Sequence, residues 1–213
     1  MAIDLNSALQ TLPGFPQLTG PRVRLRGPRD DDTDALFALF SDAAVMRYWS
    51  RAPMIEPSEA AGMIVEMGES FAQRDKIGWV IAERGDDVAI GTCTLFRFER
   101  RHRRAEIGYA LRRDRWGRGI ATEAASLALD WGFRALGLHR VEADIDPRNL
   151  PSRKLLDRLG FASEGVLRER FFIGDEVTDS EIFGLLADDW RKNAARRSSR
   201  GRDWQSTTEE LLL

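Results

Sequence analysis

Apolar residues recur along this chain in two rhythms. Residues 22–26 (Arg-Val-Arg-Leu-Arg) alternate polar and apolar, the period of a half-buried strand. Pro28 ends that run. Asp30, Asp31 and Asp32 then offer an N-cap and first-turn acids to a helix whose apolar side is Leu36, Phe37, Leu39 and Phe40. The acidic run could serve a metal, but its place before a helix favours capping. A second helix starts at Pro57, with Met63, Ile64, Met67 and Phe71 on one stripe.

Strand signals follow. Residues 78–82 and 88–98 flank a Gly85-Asp86-Asp87 turn, and residues 105–111 come after a basic turn at 100–104. Ile120, Ala124, Leu127, Ala128, Trp131 and Ala135 then keep a 3.6-residue period until Gly137 stops the helix. Residues 140–146 read as a strand. Residues 149–159 read as a short helix, with Pro151 in its first turn and Gly160 past its end. Residues 161–172 and 176–187 form a closing hairpin around Gly174-Asp175. Residues 1–20 show no clear period and read as an extension packed on the body. Residues 192–213 read as a tail, weakly ordered from Arg197 onward. The order β-α-α-β-β-β-α-β-α-β-β over 21–191 predicts one α/β (α+β) domain. Its mixed, mostly antiparallel, twisted sheet of about seven strands is flanked by helices.

Composition narrows the function. One cysteine, Cys93, in 213 residues excludes an internal disulfide framework, and two histidines leave little for a structural zinc site. No metal is expected. No 18-residue apolar run spans a membrane, and the N-terminus lacks a secretory pattern, so a cytoplasmic protein is expected. A net charge of −2 argues against a general polyanion partner such as nucleic acid. Of the 32 basic residues only Lys76, Lys154 and Lys192 are lysine. Arginine prefers phosphate and carboxylate forks, although a GC-rich genome would also produce the skew.

The segment richest in chemistry is 111–123. A strand enters a loop, Trp116-Gly117-Arg118-Gly119, and the loop opens a helix. Glycines allow close backbone approach, and a helix N-terminus presents free N–H groups and a positive partial charge. Together they suit a pyrophosphate, with Arg112, Arg115 and Arg118 able to add charge-assisted bonds. Thr122 replaces the third glycine of a dinucleotide fingerprint, and no Gly-Lys-Ser/Thr tripeptide exists for a P-loop. A tight turn whose glycines serve packing alone fits the same residues.

Trp-Gly-Arg-Gly-Ile-Ala-Thr-Glu-Ala resembles the acetyl-CoA loop of the GCN5-related N-acetyltransferase (GNAT) superfamily, in its ribosomal-protein N-terminal (RimJ/RimL-type) branch. Trp116, Gly119 and Ala121 take the three defined places of Gln/Arg-x-x-Gly-x-Gly/Ala, with Trp116 departing from Gln/Arg as the branch does. Residues 146–161, with Asn149, Ser152, Gly160 and Phe161, are similar to the branch's Asn-x-x-Ser … Gly-Phe segment. Residues 179–190 end in a similar Leu-Leu-x-x-x-Trp.

The resemblance implies acetyl transfer from acetyl-CoA to a primary amine by direct attack in a ternary complex. The acceptor would be a protein N-terminal α-amine or a small amine. A regulatory module that binds acyl-CoA without turnover is a third reading. The amine must lose a proton before attack. Glu106, sharing a strand face with Gly108 and Ala110, is the expected base, with Glu142 and Asp144 as rivals. The resemblance also implies strands 105–111 and 140–146 splayed apart. Pantetheine would lie in the gap against the backbone of Ala110, Leu111 and Arg112. Trp116, Gly117, Arg118, Gly119, Ala121 and Thr122 would hold the phosphates, and Asn149 the pantetheine amide. Many relatives carry an acidic tyrosine in the helix at 149–159, and this chain has none there. Ser152 remains as hydrogen-bond donor to the leaving thiolate. Tyr48, Trp49, Arg51, Phe171 and Phe172 are candidates for the acceptor wall. The oligomeric state stays open between monomer and homodimer.

Overall fold

A computed structural model describes residues 3–198 of the chain. Its elements run α1 (Leu5–Gln10), β1 (Leu18–Thr19), β2 (Val23–Arg26), α2 (Thr33–Phe40), α3 (Ala43–Met46), α4 (Pro57–Ala72), β3 (Lys76–Glu83), β4 (Ala89–Glu99), β5 (Arg104–Leu111), α5 (Ile120–Arg134), β6 (Arg140–Ile145), α6 (Leu150–Leu159), β7 (Ala162–Ile173), β8 (Glu176–Leu186) and α7 (Ala187–Ser198). The strands form one sheet in the order β1-β2-β3-β4-β5-β6-β8-β7. All neighbours are antiparallel except β5 and β6. That single parallel pair needs a crossover, and α5 supplies it.

The helices cover both faces. On one side α5 and α6 bury Leu127, Leu129, Leu156 and Leu159 against Trp79, Leu95 and Ile107. On the other, Leu36, Phe40 and Ile64 of α2 and α4 pack with Ala110. The alternation of β5 explains the split, since Ile107 and Tyr109 face one layer and Gly108 and Ala110 the other. Trp79, fully buried, stacks edge-on against Trp131 at 5.4 Å between ring centroids.

Residues 3–20 form part of this core. Leu5 and Leu9, one turn apart on α1, have no exposed surface, and the Trp79 indole donates to the Pro16 carbonyl at 2.8 Å. Asp32 departs from simple helix capping. Its carboxylate takes the Arg29 N–H at 2.8 Å and forms a buried ion pair with Arg26 at 2.7 Å. The tail expected to loosen at Arg197 continues in α7 to Ser198, and its later residues lie outside the described region. No helix is long and apolar enough to cross a membrane among the described residues.

Candidate active site

β5 and β6 pair for three rungs only: Arg104 with Arg140, Ala105 with Val141, and Glu106 with Glu142. Beyond that rung each strand stays paired on its outer side, β5 to β4 as far as Leu111 and β6 to β8 as far as Ile145. The splay inferred from resemblance is therefore present. Arg112 N–H donates to the Ile90 carbonyl at 2.9 Å, which sets the alternation of the β4–β5 ladder. Ala110 and Arg112 turn their backbone groups toward β4; on the other edge the Ile107 N–H closes the last rung with Glu142, and Tyr109 and Leu111 turn theirs toward the gap.

A cavity of about 490 Å³ opens at this fork. Glu106 lines it from the last shared rung, its side chain 18% exposed. Both of its oxygens accept from Arg97, at 3.1 and 3.0 Å. Arg97 sits where the β4–β5 register shifts, with φ of 52°. That left-handed conformation is unfavourable for a residue with a side chain, and here it aims the guanidinium at the carboxylate. Asp144, on the next strand, lines the same cavity and accepts from the Ser180 hydroxyl. Glu142 is held by Arg104 and Arg140 and is not part of the lining.

On the opposite face of β5, the Tyr109 phenol meets the Ser152 hydroxyl at 2.7 Å. Ser152 lies in the first turn of α6, where its N–H donates to the Asn149 side chain at 3.2 Å. Asn149 thus caps α6 and also lines the cavity. Burial pushes the Tyr109 phenol above its ordinary value, and the Ser152 hydrogen bond offsets this only in part. The phenol therefore stays protonated at neutral pH. α6 holds no tyrosine, so the aromatic hydroxyl reaches Ser152 from the strand instead. Sequence parity places Tyr109 opposite Glu106, but only the tertiary fold brings together residues 43 positions apart. Below β5, Cys93 is fully buried and its thiol is pushed up to about 12 by burial, so no thiolate is available there.

The loop after β5 turns on two glycines in the left-handed conformation. Gly117 and Gly119 both take φ of 73°, and Gly119 is the N-cap of α5. A Cβ at Gly117 would meet nothing within 4 Å, so that face of the loop is open. Trp116 donates its indole N–H to the Leu111 carbonyl at 2.7 Å, tying the loop back to β5. Arg112 pairs with Asp114 at 3.1 Å, and Arg115 pairs with Glu83 and Asp114 at 2.8 and 2.7 Å. Arg118 is exposed and makes no ion pair among the described residues. Ala121 and Thr122 stand half-buried in the first turn of α5.

Of the acceptor-wall candidates, Tyr48, Trp49, Arg51 and Phe171 line the cavity. Phe172 points away and is 75% exposed. Arg51 stacks over Phe40 at 4.9 Å, and burial lowers its affinity for the proton. Phe171, Thr178 and Asp179 come from the β7–β8 hairpin, which closes one side. Among the described residues, no group of three His, Cys, Asp or Glu side chains is placed to hold a metal ion.

Residues 22–162 match the family model described as an acetyltransferase (GNAT) domain. The chain is 36% identical to an uncharacterized N-acetyltransferase, p20, of Bacillus licheniformis over 78% of its length and 93% of the relative. It is 32% identical to the spermidine N(1)-acetyltransferase of Escherichia coli K12 over 74% of its length and 82% of that protein. Its fold is similar to Mycobacterium smegmatis RimJ in complex with CoA-disulfide. The TM-score is 0.77 at 27% identity, over 89% of this chain and 96% of that one.

Proposed function

The chain belongs to the GNAT acetyltransferase family and is an N-acetyltransferase; from that premise we propose that it transfers acetyl from acetyl-CoA to a primary amine by direct attack, with Glu106 as base and the Tyr109–Ser152 pair as proton donor. The observation that carries this reading is the β5–β6 ladder ending at the rung of Glu106. That ending leaves a slot with a carboxylate on one face of β5 and a phenol on the other.

The donor fits the residues around the slot. Its phosphates have the N–H groups of Gly117, Arg118 and Gly119, the α5 N-terminus with Ala121 and Thr122, and the exposed Arg118 cation. Trp116 braces this loop, and its pantetheine arm has Leu111 backbone and the Asn149 amide. Ala110 and Arg112 support the arm through the β4 ladder. When bound, acetyl-CoA supplies an acetyl group on a good leaving thiol. The chain's own residues do the rest. Glu106 takes the proton that keeps the acceptor nitrogen from attacking. The gap-facing N–H groups of Tyr109 and Leu111, beyond the last β5–β6 rung, would serve as donors to a developing oxyanion. As the C–N bond forms and the C–S bond breaks, the Tyr109 hydroxyl gives its proton to the departing sulfur and recovers one that the new amide nitrogen sheds, with Ser152 holding the phenol in place. The inert Cys93 thiol supports direct attack over an acyl-cysteine route.

The acceptor reading is a protein N-terminal α-amine, supported by likeness to RimJ over most of both chains. A small polycationic amine is the second reading. It is favoured by Asp179, which lines the cavity and, among the described residues, has the Glu169 N–H at 2.9 Å as the one hydrogen bond to its carboxylate, and by the spermidine-acetylating relative. Thiol release from acetyl-CoA, screened over N-terminal peptides, polyamines and amino acids, tests both. Turnover with one class selects it. Calorimetric binding of acetyl-CoA with no turnover on any amine overturns the enzyme reading in favour of a binding module.

A further inference from the structure

Arg22 stands just ahead of β2, far from the reacting groups, yet it makes more bonds to the glycine loop region than any arginine within that loop. Its Nε donates to Glu123 Oε2 at 2.6 Å and its backbone N–H to Glu123 Oε1 at 2.8 Å. Its Nη1 donates to the Arg118 carbonyl at 2.5 Å and its Nη2 to the Gly119 carbonyl at 3.3 Å. The Val23 N–H adds a third donor to Glu123, at 3.2 Å. The Glu123 side chain is 8% exposed, whereas that of Arg22 is 53% exposed.

Two physical consequences follow. First, peptide planes have two ends. By engaging the carbonyls of Arg118 and Gly119 from behind, Arg22 fixes those planes so that their N–H ends stay toward the open side of the loop. Glycine takes the left-handed φ of Gly119 without steric cost but does not by itself hold it, and these bonds narrow its freedom. Second, Glu123 places a carboxylate within one turn of the α5 N-terminus. A bare carboxylate there would take the positive end of the helix for itself and repel a phosphate. Paired with Arg22 it is neutralised, and the N-terminus remains attractive to another anion.

We infer that the Arg22–Glu123 clasp is a positioning device for the diphosphate of the donor. It rests on the acetyl-CoA reading above and assigns to Arg22 a role through the loop, not contact with the reacting atoms. The test compares acetyl-CoA with S-acetylpantetheine, which carries the thioester and lacks the diphosphate. For Arg22→Ala, kcat/KM with acetyl-CoA should fall about tenfold or more, through KM. The value with S-acetylpantetheine should stay within about twofold of the parent. Arg22→Lys, which keeps the charge but cannot fork to Glu123 and two carbonyls, should recover only part of the loss. Adding Glu123→Gln to Arg22→Ala removes the uncompensated negative charge and should restore much of the acetyl-CoA affinity.

Equal losses with both donors would mark Arg22 as a general stabiliser and overturn the inference, as would no loss with either. If Arg22→Ala fails to fold, Arg22→Lys in the same two-donor comparison decides. A parent protein that binds no acetyl-CoA would instead sink the donor reading, a result visible before any variant is made.

Discussion

The Tyr109 phenol and the Ser152 hydroxyl share a hydrogen bond of 2.7 Å that joins the splayed strand β5 to the first turn of α6. Tyr109 and Glu106 lie on opposite faces of β5 and line the same cavity, so the proposed proton removal and proton return fall to separate residues. Tyr109→Phe should therefore lower kcat about 100-fold while the KM for acetyl-CoA changes by less than about threefold. Ser152→Ala should show a smaller drop, because the phenol keeps its proton and loses only its alignment. Steady-state kinetics with both substrates varied checks both.

Glu106→Gln keeps the shape of the carboxylate and removes its basicity. The expected result is unaltered acetyl-CoA binding by calorimetry and a fall in kcat of about 10²–10³. Asp144→Asn, in the same cavity, should cost far less. If Asp144→Asn is the damaging change and Glu106→Gln is not, the base is on β6.

In the loop, Arg118 is the arginine without an ion pair among the described residues, while Arg112 and Arg115 are held by acids. Arg118→Glu should weaken CoA binding by about tenfold or more, and Arg101→Glu on the distant basic turn should leave it unchanged. Titration at two salt concentrations should show the salt dependence shrinking in Arg118→Glu alone.

Asp87 gathers Arg24, Arg26 and Arg29, which joins β2 to the β3–β4 turn. Burial acts to raise its carboxyl, but the three arginines outweigh it and lower the group from 3.8 to about 2. A carboxylate depressed by folding adds stability that is complete above its unfolded value and is lost as pH falls toward the folded one. Urea midpoints should thus show the advantage of the parent over Asp87→Asn intact above about pH 4 and fading toward pH 2. Arg26→Met leaves the buried Asp32 without its partner and should cost about 3–5 kcal/mol at neutral pH.

Leu9 tests whether residues 3–20 are an appendage. It has no exposed surface in the main core. Leu9→Ala should cost about 2–5 kcal/mol in global stability, read from a single cooperative transition. An appendage would lose only local protection, with an unchanged midpoint.

What the sequence disclosed depended on length and period. α4 and α5 span four turns with clear stripes, and β2 to β8 alternate or sit between turn residues, so they were legible. α1 and α3 are six and four residues long, and β1 is two. None has room for a period, and Leu5 and Leu9 gain their meaning only from Trp79 and its neighbours. At the site, family resemblance and strand parity together singled out Glu106 ahead of Glu142 and Asp144, and the glycines marked the loop. The Tyr109–Ser152 contact and the Arg22–Glu123 clasp could not, because each joins segments 43 and 101 residues apart through packing. Arg97 was hidden for another reason: its bulge interrupts the alternation that would have shown where it points.

The early end of the β5–β6 ladder has a kinetic consequence. Each strand beside the opening is clamped along its far edge, β5 by β4 and β6 by β8. No β5–β6 ladder hydrogen bond would have to break for a thioester arm to enter the fork, and none would have to re-form for it to leave. A doorway built into the frame, instead of hung on a hinge, carries no opening rate of its own. Capture of the donor should proceed in one phase at a rate proportional to its concentration, without the saturating plateau that a moving gate imposes.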